Sequence, residues 1–307
     1  MSAQQYRNFC YFWLLYRFRA AVPPGKPCRE KIVLENNDKY IVIRDVIRKK
    51  NPGLLRWMPR FVLRYVERVV HEDDINRVMD NIGHLHGLAF VDALIGELGV
   101  IVELTGEEHI PRSGGVIFAS NHPLGGLDGV AFMHALGKYR QDIKFLVNDI
   151  LLNIKNLQPL FVGVNKHGAQ GRQGIRDIEE AYAQDQALLV FPAGLVSRKR
   201  NGKIEDLEWK KSFIGKAKKY HRDIVPVYID GKNSSFFYNF ARLRESIGVK
   251  TNIEMFYLAD EMFKQKNKKV TIRVGKPISY TYFDSSKSEK EWADEVKRTV
   301  YNLAPEN

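Results

Sequence analysis

The sequence predicts an α/β fold in which a mixed, mostly parallel central sheet is flanked by helices and preceded by a helical, membrane-associating N-terminal region. From residue 100 onward, short apolar runs alternate with helical patterns, which is typical of strands covered by the helices that connect them. Residues 31–100 have a mostly helical pattern. A breaker-rich stretch at 22–27 closes an aromatic and basic tail, 1–30. The remaining residues, 101–307, are predicted to form the α/β domain.

The composition is basic, because 48 Lys and Arg residues stand against 36 Asp and Glu residues and give a net charge of +12. Such a surplus attracts polyanions, and nucleic acid and an anionic membrane are the two obvious partners. The sequence has no recognisable nucleic-acid-binding module, so we expect a membrane and no nucleic acid. Cys10 and Cys28 form no C-x-x-C pair, so we expect neither a metal site nor a disulfide framework.

The first membrane candidate is the aromatic and apolar run at residues 9–16, which ends at Arg17 and Arg19. It is shorter than the ~18 apolar residues that a spanning helix needs. It faintly resembles a signal peptide, but its aromatic side chains and the arginines beside it favour a segment in the membrane interface. A poorly ordered tail is the alternative.

The second candidate is the segment from Leu54 to Val70, which has the pattern of a basic amphipathic helix. Its arginines recur every four residues and cover a stripe of roughly 120°. Pro59 requires the regular helix to begin near it. Binding to a membrane surface is one interpretation, and packing of the apolar face on the core is the other. The residues expected to contact the membrane are Arg56, Trp57, Arg60, Phe61, Arg64, Tyr65 and Arg68.

The elements of the α/β domain follow from the apolar runs and the helical patterns between them. The predicted strands are 101–104, 116–119, 143–147, 160–164, 187–191, 224–228, 253–257 and 270–274. The predicted helices are 129–138, 171–184, 208–221, 235–247 and 286–303.

One glycine-rich turn, between the strand 116–119 and the following helix, holds a candidate general base. Neutral His122 can accept a proton at physiological pH, and a carboxylate on its other ring nitrogen would fix the tautomer. We expect Gly125 and Gly126 to let Asp128 fold back onto His122. No G-x-S-x-G nucleophile motif occurs, so the pair favours direct activation of a substrate hydroxyl over a covalent triad. A merely structural turn is the alternative.

Two further glycine-containing loops leave strand ends and are basic. The loop at 191–200 carries three consecutive cations, and the loop at 163–172 carries two. Such groups, with backbone N–H groups around the glycine, could hold an anionic headgroup or phosphate, whereas solvated surface is the alternative for each loop. The expected substrate contacts are Asn121, Gly125, Gly126, Lys166, Arg172, Pro192, Gly194, Ser197, Arg198 and Lys199.

These blocks, taken together and in order, resemble those of the glycerolipid (PlsC-type) acyltransferases. Asn121-His122 with Asp128 is similar to the NHxxxxD block, residues 191–194 (FPAG) to the FPEG block, and residues 225–227 (VPV) to a late block. Within the family, the chain resembles a bacterial hemolysin-annotated subgroup linked to O-acylation of lyso-ornithine and lyso-glycine lipids. The resemblance covers roughly residues 100–280.

The resemblance implies transfer of a fatty acyl group from acyl-ACP or acyl-CoA to the hydroxyl of a lyso-lipid, with His122 and Asp128 as the catalytic pair and no bound cofactor or metal. It also implies acyl carrier protein and an anionic membrane as partners, with the enzyme peripheral on the cytoplasmic face of the inner membrane. Either Lys166 or Arg172 could replace the arginine that the family's second block supplies.

Two departures from the family pattern bear on substrate and mechanism. Five residues separate His122 from Asp128 where the family has four, and Ala193 replaces the glutamate of FPEG. The second departure disfavours lysophosphatidic acid and favours a lyso-aminolipid acceptor. A 1-acylglycerol-3-phosphate acyltransferase and a catalytically inactive, peripheral lipid-binding protein are the alternatives.

Overall fold

A computed structural model describes residues 39–164, 170–200, 202–249 and 252–305 of the chain. Nine strands occur in this part. Seven form the central sheet, and β6 and β7 form a small separate hairpin. Their bounds are β1 Ile101–Thr105, β2 Val116–Ser120, β3 Ile143–Val147, β4 Phe161–Gly163, β5 Ala187–Val190, β6 Arg198–Arg200, β7 Lys203–Glu205, β8 Asp223–Asp230 and β9 Lys269–Val274.

The central sheet has the order β1-β9-β8-β2-β5-β3-β4. The five strands from β8 to β4 are mutually parallel. Strand β9 is antiparallel to β8, and β1 is parallel to β9. All residues of β2 and β5 are buried, as expected of central strands covered on both faces. The predicted mixed, mostly parallel sheet is confirmed.

The helices of the N-terminal region differ in detail from the predicted pattern. The segment from Leu54 to Val70 contains two helices, because Pro59 interrupts it and stands as the N-cap of the second. The helices of this region that lie within the described residues are α1 Ile43–Lys50, α2 Pro52–Trp57, α3 Arg60–Val69, α4 Glu72–Ile82 and α5 Gly87–Leu98. Residues 1–30, including the predicted interfacial run, lie outside the described residues.

In the described part of the α/β domain, six further helices accompany the sheet: α6 Gly126–Gly137, α7 Gln170–Ala183, α8 Ser212–Tyr220, α9 Ser235–Ser246, α10 Leu258–Phe263 and α11 Glu289–Tyr301. The prediction of a strand at 253–257 is wrong, because Ile253–Tyr257 is a 3-10 helix that leads directly into α10. A short apolar run fits a buried helical turn as well as a strand. The hairpin of β6 and β7 is rich in lysine and arginine. Because it has no apolar pattern, it is not among the predicted strands.

Two hydrophobic clusters cover the two faces of the sheet. One joins residues of α4, α5 and α6 to the sheet, including Val78, Phe90, Phe118, Leu189 and Val225. The other packs α7, α8 and α11 on the opposite face. The core is therefore continuous across residue 100, and the helices of the N-terminal region pack on the sheet. No helix within the described residues is both long and apolar enough to span a bilayer.

Candidate active site

The loop that carries His122 leaves the carboxyl end of β2 and leads into α6. The loop that begins at Phe191 leaves the carboxyl end of the neighbouring strand β5. Ligands of open α/β sheets bind at this edge. The parallel pairing of β2 and β5 thus brings the first two sequence blocks to one place.

The structure joins the side chains of His122 and Asp128. The Nδ1 atom of His122 lies 2.7 Å from Oδ2 of Asp128. The Asp128 carboxylate is fully buried and also accepts hydrogen bonds from the backbone N–H groups of Leu124 and Gly125. It therefore caps the N-terminus of α6 and orients the imidazole at the same time.

Burial raises the pKa of Asp128 above its ordinary value. The hydrogen bond from His122, the charge of the imidazole and the two backbone donors act to lower this pKa, but burial has the larger effect. The ionised carboxylate only accepts hydrogen bonds, so His122 donates through Nδ1–H and its Nε2 carries the lone pair. Among the described residues, Nε2 has no hydrogen-bond partner. It is available to remove a proton from a bound hydroxyl.

The extra residue between His122 and Asp128 is accommodated at Gly125. Its φ of +86° lies in the region that favours glycine. A β-carbon there would lie 3.0 Å from a methyl group of Leu258. Gly126, by contrast, begins α6 and has open space around it. The turn that brings Asp128 to His122 therefore depends on glycine at position 125 and not at position 126.

Two asparagines hold the loop against the sheet. The side chain of Asn121 donates to the carbonyl of Ile229 in β8 and accepts from its N–H, and it is buried. Asn233 donates to the carbonyl of Pro123 at 3.2 Å. Asn121, expected to contact substrate, has both polar atoms of its side chain engaged with β8 and positions the loop instead.

The buried carboxylate of Asp206 is a site residue that the sequence motifs do not reveal. It accepts the backbone N–H of His122 at 3.1 Å, the hydroxyl of Ser197 at 2.6 Å and the indole N–H of Trp209 at 2.9 Å. Ser197 in turn donates its N–H to the carbonyl of His122 at 2.8 Å. Ser197, expected to bind substrate, instead joins the loop after β5 to the His122 loop and to Asp206.

We expect Asp206→Asn to lower kcat about 10- to 100-fold with little change in KM, because the amide weakens the contacts that fix His122. Steady-state acyl transfer measures this effect. Asp223→Asn is the matched control, since that carboxylate also accepts a backbone N–H, at 3.0 Å, but at the amino end of β8. A wild-type kcat for Asp206→Asn would contradict the positioning role.

The loop after β5 packs directly on His122. The ring of Phe191 stacks on His122 with centroids 4.2 Å apart. Gly194 has a φ of +64°, and its N–H donates to the carbonyl of Phe191 at 2.9 Å. Within the described residues, the N–H groups of Leu195 and Val196 have no acceptor. Since Gly194, Leu195 and Val196 line the same cavity as His122, these two N–H groups are the candidate oxyanion donors.

The cations predicted to bind substrate have different positions. Arg198 is buried, and its guanidinium pairs with Glu254 at 2.8 Å. This corrects its expected role as a headgroup contact, because the charge is neutralised inside the protein. Lys199 is exposed on the hairpin, and Arg172 is exposed on α7. Lys166 lies outside the described residues.

Lys210 contacts the loop after β5 at two points. Pro192 is buried, and its carbonyl accepts the N–H of Lys210 at 3.0 Å. The Nζ atom of Lys210 would lie 2.8 Å from a β-carbon placed on Gly194. Lys210, which no motif marked, therefore brings a cation to this loop.

A cavity of about 370 Å³ extends from His122 into the N-terminal region and is lined mainly by apolar side chains. Pockets of this kind suit an apolar ligand that a few polar groups orient. Its walls include His122, Gly125, Gly126, Phe145, Phe191, Gly194, Val78, Met79, Phe90, Leu94, Met255, Leu258 and Met262. An aliphatic chain bound in this cavity would lie beside His122.

A contact between histidine and aspartate is not by itself distinctive in this chain. His134 Nδ1 also lies 2.7 Å from Asp92, and His71 Nδ1 lies 2.8 Å from Asp74. Those aspartate side chains are 60% and 37% exposed, whereas Asp128 is fully buried. Among the three histidines, His122 alone lines the cavity. In the described part of the chain, no group of three or more His, Cys, Asp or Glu side chains could hold a metal ion.

The structure thus pairs His122 with the buried Asp128 at the carboxyl edge of an α/β sheet, beside an apolar cavity. The model of a family described as Acyltransferase matches residues 45–306. The chain therefore belongs to this acyltransferase family, and the predicted enzyme class is confirmed.

Two relatives match over nearly their whole length. The lyso-glycine lipid O-acyltransferase of Phocaeicola vulgatus is 42% identical over 278 residues, which cover 89% of this chain and 100% of that protein. The protein of the same name from Bacteroides thetaiotaomicron is 44% identical over 264 residues, covering 86% and 97%. The crystal structure of the 1-acyl-sn-glycerophosphate (LPA) acyltransferase PlsC from Thermotoga maritima matches with 18% identity and a TM-score of 0.45, covering 86% of this chain and 94% of that one.

Proposed function

We propose that this enzyme transfers a fatty acyl group to the hydroxyl of a lyso-glycine lipid at a membrane surface. The observation that carries the proposal is the pairing of His122 with the buried Asp128 at the wall of an apolar cavity. The names of the two relatives support the acceptor. They agree with the predicted class of acceptor, a lyso-aminolipid.

In the proposed reaction, Nε2 of His122 removes the proton of the acceptor hydroxyl while the oxygen attacks the thioester carbonyl. Asp128 stabilises the imidazolium that forms. The tetrahedral oxyanion is held by the N–H groups of Leu195 and Val196. The carbon–sulfur bond then breaks, and the proton on His122 passes to the leaving thiolate. The products are an ester and a free thiol, so no bound cofactor is required.

The proposed donors are acyl-ACP and acyl-CoA, both of which carry the acyl group on an anionic carrier. Lys199 and Arg200 are exposed on the β6–β7 hairpin, which follows the loop that contacts His122. Exposed cations there complement an acidic carrier protein. Since these carriers occur in the cytoplasm, we propose that the enzyme acts on the cytoplasmic face of the inner membrane.

We propose that α2 and α3 contact the membrane. The alternative is that their aromatic face packs on the protein core. In the structure Trp57 is 86% exposed and Phe61 is 75% exposed, while Leu63 of the same region is buried. Arg60 and Arg64 are exposed beside the aromatic residues. Exposed aromatic rings flanked by arginines favour an interfacial helix that binds anionic lipid.

Purified enzyme tests the acceptor directly. With acyl-ACP or acyl-CoA as donor, we expect lyso-glycine lipid to be converted to the diacylated lipid and lysophosphatidic acid to be a much poorer acceptor. Ala193 supports this difference, because it is buried among apolar side chains where the related block has a glutamate. Preferential formation of phosphatidic acid would establish the alternative acceptor. Failure of both acceptors with both donors would support an inactive lipid-binding protein.

A further inference from the structure

The exposed face of α9 carries an apolar stripe that is separate from the N-terminal region in sequence. Phe236, Phe240, Leu243 and Ile247 follow one another at steps of four, three and four residues, so they lie on one side of the helix. Leu243 is 57% exposed and Ile247 is 65% exposed. We call these four residues the α9 stripe. Contiguous exposed apolar side chains mark an interaction surface.

The α9 stripe meets the aromatic face of α3 at Tyr257. The hydroxyl of Tyr257 lies 2.8 Å from that of Tyr65 on α3. On its other side, the ring of Tyr257 packs edge-on against Phe236 and Phe240, with centroids 4.9 and 5.5 Å apart. The two exposed apolar faces are therefore neighbours, and Tyr257 connects them.

The charges around this joint surface are mainly positive. Four exposed arginines lie on or next to α3 against one glutamate, Glu67, and Arg242 is exposed on α9. The carboxylate of Glu245 contacts the guanidinium of Arg244. A surface that combines apolar side chains with a cationic border complements an anionic lipid bilayer.

The joint surface also adjoins the acyl cavity. Met255 and Leu258, which flank Tyr257 in the chain, both line the cavity. Leu258 further lies against Gly125, next to the catalytic pair. One short segment thus holds the half-buried Tyr257 between the two exposed faces and places Met255 and Leu258 in the cavity wall.

We infer that the membrane-docking surface has two parts, the aromatic face of α2 and α3 and the α9 stripe, joined at Tyr257, and that its partner is an anionic bilayer. This inference rests on the proposed membrane location. Docking through both parts holds the cavity wall at Met255 and Leu258 against the bilayer, where acyl chains enter the site.

Sedimentation with vesicles tests the inference without use of the chemical reaction. The full-length protein is mixed with vesicles of phosphatidylcholine that contain or lack phosphatidylglycerol. We expect wild type to bind the anionic vesicles, and Leu243→Ser/Ile247→Ser to reduce the partition coefficient about tenfold. The control is Ile175→Ser, which alters a 56% exposed side chain on α7, a helix that is not part of the proposed docking surface.

Two further measurements separate docking from misfolding and from self-association. Activity of Leu243→Ser/Ile247→Ser on detergent-dispersed acceptor should equal that of wild type, and its light scattering should show the same oligomeric state. Wild-type vesicle binding by this variant would overturn the two-part surface while leaving the α3 contact intact. Loss of a dimer with unchanged vesicle binding would assign the stripe to a second copy. Absence of vesicle binding by wild type would instead refute the proposed membrane location.

Discussion

His122→Ala lowers kcat/KM for acyl transfer by about 10²–10⁴, the contribution expected of a general base. The alanine leaves the acceptor hydroxyl without a group that removes its proton, while the cavity and the candidate oxyanion donors remain. The residual activity should exceed the background thioester hydrolysis, because binding and orientation persist. The assay is release of the carrier thiol from acyl-ACP in the presence of lyso-glycine lipid.

The chain offers a matched control for this substitution. His134 makes the same Nδ1–aspartate contact at the same 2.7 Å distance, with a side-chain exposure of 18% against 16% for His122. It does not line the cavity. His134→Ala should therefore retain wild-type kcat/KM. Activity of His122→Ala within about tenfold of wild type would exclude His122 as the base.

The parts of the fold that the sequence predicts are those set by local patterns. Continuous apolar runs such as 116–119 and 187–191 identify central strands, because both faces of these strands are covered. The turn between β2 and α6 can also be predicted from a local pattern, because His122 and Asp128 are only six residues apart in the sequence. Their contact depends on one local turn.

The parts that remain hidden depend on contacts between distant segments. Asp206 reaches the backbone of His122 across 84 residues, and no motif surrounds it. Arg198 has the sequence context of an exposed cation in a basic loop, yet Glu254, 56 residues away, holds it in a buried ion pair. Glu254 is the buried residue of the 3-10 helix Ile253–Tyr257, the segment for which the apolar pattern of 253–257 predicts a strand.

The segment from Leu54 to Val70 shows a second limit of prediction from the sequence. An apolar face beside a row of arginines has the same periodicity whether the face meets a core or a membrane. Only the exposed fraction of Trp57 and Phe61 separates the two interpretations. The sequence therefore predicted the helical pattern and the arginines, and the environment of the aromatic face had to come from the structure.

Asp128→Asn should lower kcat about 10²- to 10⁴-fold while the protein stays folded. An amide can donate to Nδ1 of His122, which places the imidazole proton on Nε2 and removes the lone pair that acts as base. The substituted amide would still offer one oxygen to the N–H groups of Leu124 and Gly125. The measurements are kcat and the thermal midpoint of the same preparation, with Asp92→Asn as the matched control on the exposed pair.

The pKa of Asp128 determines how the stability of wild type and Asp128→Asn should compare. Because burial raises this pKa in the folded protein, the native state retains the proton to a higher pH than the unfolded chain does. The contribution of this group to stability is therefore greatest below the unfolded pKa, about 3.9, and falls as pH rises through the folded value. At neutral pH the ionised carboxylate is the costly form, so replacing it by a neutral amide should not lower the thermal midpoint.

This combination separates the two roles of Asp128. If its carboxylate served only to cap α6, the substitution would leave both the chemistry of His122 and the thermal midpoint intact, because the amide oxygen of asparagine caps a helix about as well as a carboxylate does. If it orients the base, kcat falls while the midpoint is retained. A normal kcat would show that the turn between β2 and α6 is structural and that the base lies elsewhere.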